Sequence, residues 1–120
     1  MTTTTTFHPS RTARRFVLVL VALLVALPGW CTKLLIPMDG SQRDHLKAYG
    51  VAFWTLQRDV AIDWLLNYRG GSFLVDHFQA IEQECAIRGV TYQVIADAQA
   101  AAILAEIGDP EVNMEVVKLE

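Results

Sequence analysis

Val60-Ala61-Ile62-Asp63-Trp64-Leu65-Leu66-Asn67-Tyr68-Arg69-Gly70-Gly71-Ser72-Phe73-Leu74-Val75-Asp76 is the stretch on which the fold turns. Val60–Leu66 reads as a strand, because it is a short apolar run too brief for a helix. Asn67–Phe73 reads as a loop, since paired glycines supply backbone conformations that other residues avoid. Asp76 then reads as the N-cap of a helix that turns Phe78, Ile81 and Cys85 inward and stops at Gly89.

The same alternation continues on both sides. Upstream, Leu34-Leu35-Ile36 reads as a buried strand ending in the turn Pro37-Met38-Asp39-Gly40. Ser41 with Asp44 three residues later reads as a capping box. The helix that follows, to about Arg58, would place Leu46, Tyr49, Gly50, Phe53 and Leu56 on one inward face. Downstream, Val90–Ile95 reads as a third strand. Asp97 reads as the cap of an alanine-rich helix stopped by Gly108 and Pro110, and Asn113–Leu119 as a fourth strand. Strands separated by helices imply parallel pairing with right-handed crossovers. The expectation is an α/β, Rossmann- or flavodoxin-like layered parallel sheet over residues 32–120. Four strands make a small parallel sheet, and such sheets need both faces covered, so a piece of a longer protein is expected.

The head of the chain is of a different kind. Arg11, Arg14 and Arg15 precede the apolar segment Phe16–Pro28. A basic n-region followed by an apolar region of this length is the pattern of a secretory signal, and it is short for a membrane span. Gly29 and Cys31 would stand at the −3 and −1 positions of a cleavage site, giving a mature N-terminus near Thr32. The expected location is therefore beyond the inner membrane, periplasmic or secreted. Membrane contact would come only through the N-terminal segment, if it stays uncleaved.

Removing residues 1–31 leaves seven Lys and Arg against thirteen Asp and Glu, a net charge of −6. Phosphate contacts need clustered cations, so nucleic acid is not an expected partner. The chain has two cysteines. Cleavage after Cys31 would leave Cys85 without an intrachain partner, as a buried small hydrophobe. His45 and His77 have no second ligand at metal-binding spacing, and no metal or cofactor is expected.

In open α/β sheets, ligands sit beyond the carboxyl ends of the strands. The candidate site therefore combines Asp39, after strand one, with Asn67, Arg69, Gly70, Gly71 and Ser72, after strand two. The glycines could turn N–H groups toward an anion. Arg69 carries a planar fork suited to carboxylate or phosphate, and Ser72 a hydroxyl. Neither a Walker loop nor a dinucleotide fingerprint is present, and neither Ser41 nor Ser72 lies in a nucleophile elbow. The expected partner is an anionic small molecule or a component of the cell envelope.

Several segments together resemble a known family. They are Leu34-Leu-Ile-Pro-Met-Asp39, His45-Leu-Lys-Ala-Tyr-Gly50, Asp63-Trp-Leu-Leu-Asn-Tyr-Arg-Gly-Gly-Ser-Phe73, Glu82-Gln-Glu-Cys-Ala-Ile-Arg-Gly89 and Asn113-Met-Glu-Val-Val-Lys-Leu-Glu120. The chain from Lys33 to Glu120 resembles the N-terminal part of exported bacterial proteins of several hundred residues, commonly labelled asparagine synthetase B. The label implies a glutamine-hydrolysing amidotransferase. Enzymes of that activity carry a cysteine directly after the initiator Met, where this chain has Thr2. Their ATP loop reads Ser-Gly-Gly-x-Asp-Ser, where this chain has Arg69-Gly70-Gly71-Ser72-Phe73. On this resemblance, catalytic residues would lie beyond Glu120.

Overall fold

The computed structural model describes residues 31–120, so the segment read as a secretory signal lies outside the described residues. Cys31–Glu120 forms one compact unit. Its elements are β1 (Thr32–Ile36), α1 (His45–Leu56), β2 (Ile62–Leu66), β3 (Ser72–Asp76), α2 (Gln79–Arg88), β4 (Gln93–Ala96), α3 (Asp97–Ile107) and β5 (Glu115–Leu119). No helix among them is long and apolar enough to cross a membrane.

The sheet overturns the parallel expectation. Its strand order is β4-β1-β3-β2-β5, and every neighbouring pair is antiparallel. The first six elements form a split β-α-β arrangement of the ferredoxin-like kind, extended by α3 and β5. This is an α+β fold, not a Rossmann- or flavodoxin-like layer. The cause lies in Ser72–Asp76. These residues are not the end of a loop and a helix cap but a strand, β3, that pairs with β2 across a tight turn. Leu65 stands opposite Ser72 and Asp63 opposite Leu74. β3 then inserts between β1 and β2, with Leu34 opposite Val75. β1 and β2 remain parallel to one another but never touch.

Both faces of the sheet are covered, and strand alternation divides the side chains between them. Leu34, Ile36, Ile62, Phe73 and Val75 point to the face beneath α1 and α2, where they meet Ala48, Val51, Ala52, Ile81 and Cys85. Leu35, Leu65, Leu74 and Ile95 point to the opposite face, where α3 supplies Ala100 and Ile107. Cys85 is fully buried. Burial pushes its thiol up to about 11, so at neutral pH it is a protonated, apolar filler.

The helix ends differ in detail from their expected caps. Asp44, not Ser41, caps α1, accepting the Lys47 N–H at 3.0 Å. Asp76 belongs to β3 and pairs with Lys33 at 2.5 Å, and α2 begins after Phe78 without a side-chain cap. The Gly89 stop is present, in the left-handed conformation at φ 69°.

Helix α1 is rotated from its expected setting. Its buried residues are Ala48, Val51, Ala52 and Thr55. Small side chains there let the helix axis approach the sheet and α2 closely. Of the bulky residues expected inward, Leu56 packs against the core, whereas three face outward: Leu46 is 83% exposed, Phe53 63% and Tyr49 47%. Tyr49 still touches the core edge-on through Phe73, with ring centroids 5.8 Å apart. Phe53→Ser and Leu46→Ser should therefore shift the melting temperature by only a few degrees, as exposed substitutions usually fall within about 0.5 kcal/mol. Both should also reduce binding of a hydrophobic dye. A melting loss as large as a core truncation would show that the stripe is buried.

Candidate functional site

β1 and β2 run in the same direction, so the segments leaving their carboxyl ends emerge at the same end of the sheet. Antiparallel β4 starts at that end too, because Gln93 stands opposite Leu35. Asp39, Arg69 and Gln93 come together there although they are far apart in the chain.

The turn Asn67–Gly71 is tightly wound. The Gly71 and Ser72 N–H groups both donate to the Tyr68 carbonyl at 3.0 Å. Asn67 and Arg69 sit at φ 62° and 45°, in the left-handed region that non-glycine residues seldom enter. Gly70 follows at φ 80° and presses against the β1–α1 segment, where the Met38 N–H donates to the Arg69 carbonyl at 3.1 Å. A Cβ on Gly70 would lie 2.4 Å from the Met38 oxygen. Gly70 is thus the point where two backbones approach too closely for a side chain.

That contact holds Arg69 over Asp39. The Arg69 Nε–H donates to Asp39 Oδ2 at 2.7 Å, Nη2 to the Ser41 hydroxyl at 3.2 Å and Nη1 to Gln93 Oε1 at 3.3 Å. The Ser41 hydroxyl and N–H both donate to Asp39 Oδ1, at 2.5 and 3.0 Å. His45 brings Nε2 within 3.0 Å of the Met38 carbonyl and 3.1 Å of the Asp39 carbonyl, bracing the same turn. Behind it, buried Gln42 stitches the segment to the α2–β4 connection. It donates to the Pro37 and Thr91 carbonyls and accepts the Thr91 N–H.

The Arg69 guanidinium holds the Asp39 carboxyl well below the usual carboxylate range, helped by both Ser41 donors and opposed by burial. Asp39 is therefore an anchor and a poor proton acceptor. A carboxyl depressed in the folded state stabilises the fold only while ionised. That contribution is complete above the unfolded value near 4 and drains away as the pH falls toward the folded value. Glu82 is also lowered, chiefly by its hydrogen bond from His77, and acts with the same sign. Asp39→Asn should thus be less stable than wild type at pH 7, and the gap should narrow by pH 3. Denaturant titrations at the two pH values measure this directly. A gap that is constant with pH would remove the ionised Asp39 from the account.

The other expected site residues face elsewhere. Asn67 donates from Nδ2 to the Asn113 carbonyl at 2.9 Å, tying the turn to the segment before β5. Gly71 is buried, and its carbonyl accepts the Trp64 Nε1–H at 2.9 Å. Ser72 is fully buried and donates to the Arg69 carbonyl at 3.2 Å. The structure thus brings Asp39, Arg69 and the edge of Gly70 together and uses Asn67, Gly71 and Ser72 to shape the turn. It adds Ser41 and Gln93. Ser41 was legible as a turn residue two positions after Asp39, whereas nothing in the sequence marks Gln93.

No protein-family model matches the sequence, and no curated protein or solved structure is detectably similar to it.

Proposed function

We propose that residues 32–120 are a binding module of an exported bacterial envelope protein, and that Arg69 presents the recognition point for an anionic small molecule. The geometry of the guanidinium carries this reading. Asp39 grips it by Nε at 2.7 Å, the shortest of its bonds. The Nη1–Nη2 edge rests on two neutral, exposed partners at 3.3 and 3.2 Å. A carboxylate or phosphate could displace Gln93 and Ser41 from that edge and gain a paired, charge-assisted contact. Asp39 would keep the fork aimed while cancelling part of its charge, so affinity would depend on geometry more than on net field.

The signal-like head and the resemblance to exported proteins labelled asparagine synthetase B support the envelope setting. The outward stripe of α1 is consistent with a module that packs against further protein. Fusing residues 1–40 to a reporter active only outside the cytoplasm tests the address. Leu20→Asp with Leu23→Asp should silence it, because charges in the apolar segment oppose insertion.

Isothermal titration of the mature protein against acidic amino acids, sugar acids and peptidoglycan fragments tests the site. Arg69→Ala should abolish the heat of whichever ligand binds. Arg69→Lys should weaken it strongly, since an ammonium cannot reproduce the two-pronged contact. Unchanged affinity in Arg69→Ala would refute the assignment.

A further inference from the structure

The opposite end of the sheet holds a second polar cluster, independent of the Arg69 site. Thr32 opens β1, and His77 follows the last residue of β3. Antiparallel pairing of these strands places them side by side, and the His77 N–H donates to the Thr32 carbonyl at 3.3 Å. The Thr32 hydroxyl lies 2.6 Å from His77 Nδ1. The other ring nitrogen, Nε2, lies 2.6 Å from Glu82 Oε2. Glu82 is fixed in turn by the Tyr92 hydroxyl, which donates to Oε1 at 3.2 Å.

A hydroxyl, an imidazole and a carboxylate in series are the parts of an activated nucleophile. The ionised Glu82, its carboxyl lowered by the hydrogen bond from His77, favours the tautomer with its proton on Nε2. That leaves the Nδ1 lone pair facing the Thr32 hydroxyl. Thr32 is half-buried, and the His77 and Glu82 side chains are 26% and 31% exposed, so solvent and a small reactant can reach the line. The α2 N-terminus begins two residues after His77 and has no side-chain cap.

We propose that Thr32, His77 and Glu82 form a nucleophilic site for a small activated acyl compound. The Thr32 oxygen bonds to the acyl carbon while its proton passes to His77 Nδ1. The carbonyl electron pair moves onto oxygen and returns as the bond to the leaving group breaks, and the leaving group takes the proton from His77. Water then attacks the acyl-threonine, giving one proton to His77. The Thr32 oxygen recovers that proton as the carboxylic acid departs. Glu82 stays ionised throughout and steadies the imidazolium.

The test uses the full chain and a fluorophosphonate probe, with peptide mass spectrometry to place the adduct. One adduct on Thr32 is expected, and in Thr32→Ser it should remain at residue 32. His77→Gln keeps a hydrogen-bonding side chain but no base, and should slow labelling about 100-fold, the size of a general-base contribution. Should His77→Gln fail to fold, Glu82→Gln serves instead, with labelling slowed at least about tenfold because the tautomer is no longer fixed. Melting curves of each variant confirm that the domain is folded. No adduct on Thr32, or labelling of a folded His77→Gln or Glu82→Gln at the wild-type rate, would reduce the cluster to a clamp between β1 and α2.

Discussion

Gly70→Ala will lower the melting temperature by about 15 °C, or leave the domain unfolded. Two costs coincide at this position. The φ of 80° is one that a residue with a Cβ adopts at a penalty of about 1 kcal/mol. The added methyl would also meet the Met38 carbonyl oxygen at 2.4 Å and its carbon at 2.7 Å. These are backbone atoms of the segment leaving β1, and no rotamer change can move them. Overpacking typically costs about 1–3 kcal/mol. In a domain of this size each kcal/mol is worth roughly 4–8 °C. Gly71→Ala should be milder, since its Cβ would approach only the Trp64 Nε1 at 3.3 Å. A melting temperature for Gly70→Ala within about 3 °C of wild type would mean that the two backbones are not in contact.

Leu35→Ala should cost about 2–5 kcal/mol, the usual range for a fully enclosed leucine. Leu35 is 1% exposed and lies in the second core with Leu65, Leu74, Ile95, Ala100 and Ile107. Its neighbours on the adjacent strands cannot collapse into the void without shifting the sheet. Denaturant unfolding measures the loss. A cost near that of Phe53→Ser would show that α3 does not seal this face, and the sheet would then have only one real core.

Leu34-Leu35-Ile36 was legible because a strand covered on both faces has no polar alternation, although the strand itself begins two residues earlier, at Thr32. The same logic hid β3. Ser72-Phe73-Leu74-Val75 is also covered on both faces, so it lacks alternation, and it begins directly after two glycines that suit a loop. The turn itself uses Asn67 and Arg69 at positive φ. Arg69 gives no local warning of that conformation. Asp76, a plausible helix cap in isolation, is taken by Lys33 from 43 residues away, a partner that only the finished sheet supplies. In α1 the spacing of Leu46, Tyr49 and Phe53 did mark a face, but size decided which face turned inward. The meeting of Asp39 with Arg69 did not depend on the topology. β1 and β2 point the same way in either fold, so Asp39 and Arg69 meet at one end of the sheet. The His77 line was not legible, because Thr32 and Glu82 reach it from different elements.

The short β2–β3 connection also has a kinetic consequence. Among the described residues it is the one strand pairing closed by a turn of only five residues, 67–71, whereas 35 residues, 37–71, separate β1 from β3. Early closure of this hairpin would create both the edge that receives β1 and the edge that receives β5. Substitutions within it should therefore slow folding, with φ-values well above those of α3 and β5, where substitutions should mainly hasten unfolding. Stopped-flow chevrons of Leu65→Ala and Ile107→Val would separate the two cases. Comparable φ-values at both positions would place the nucleus elsewhere.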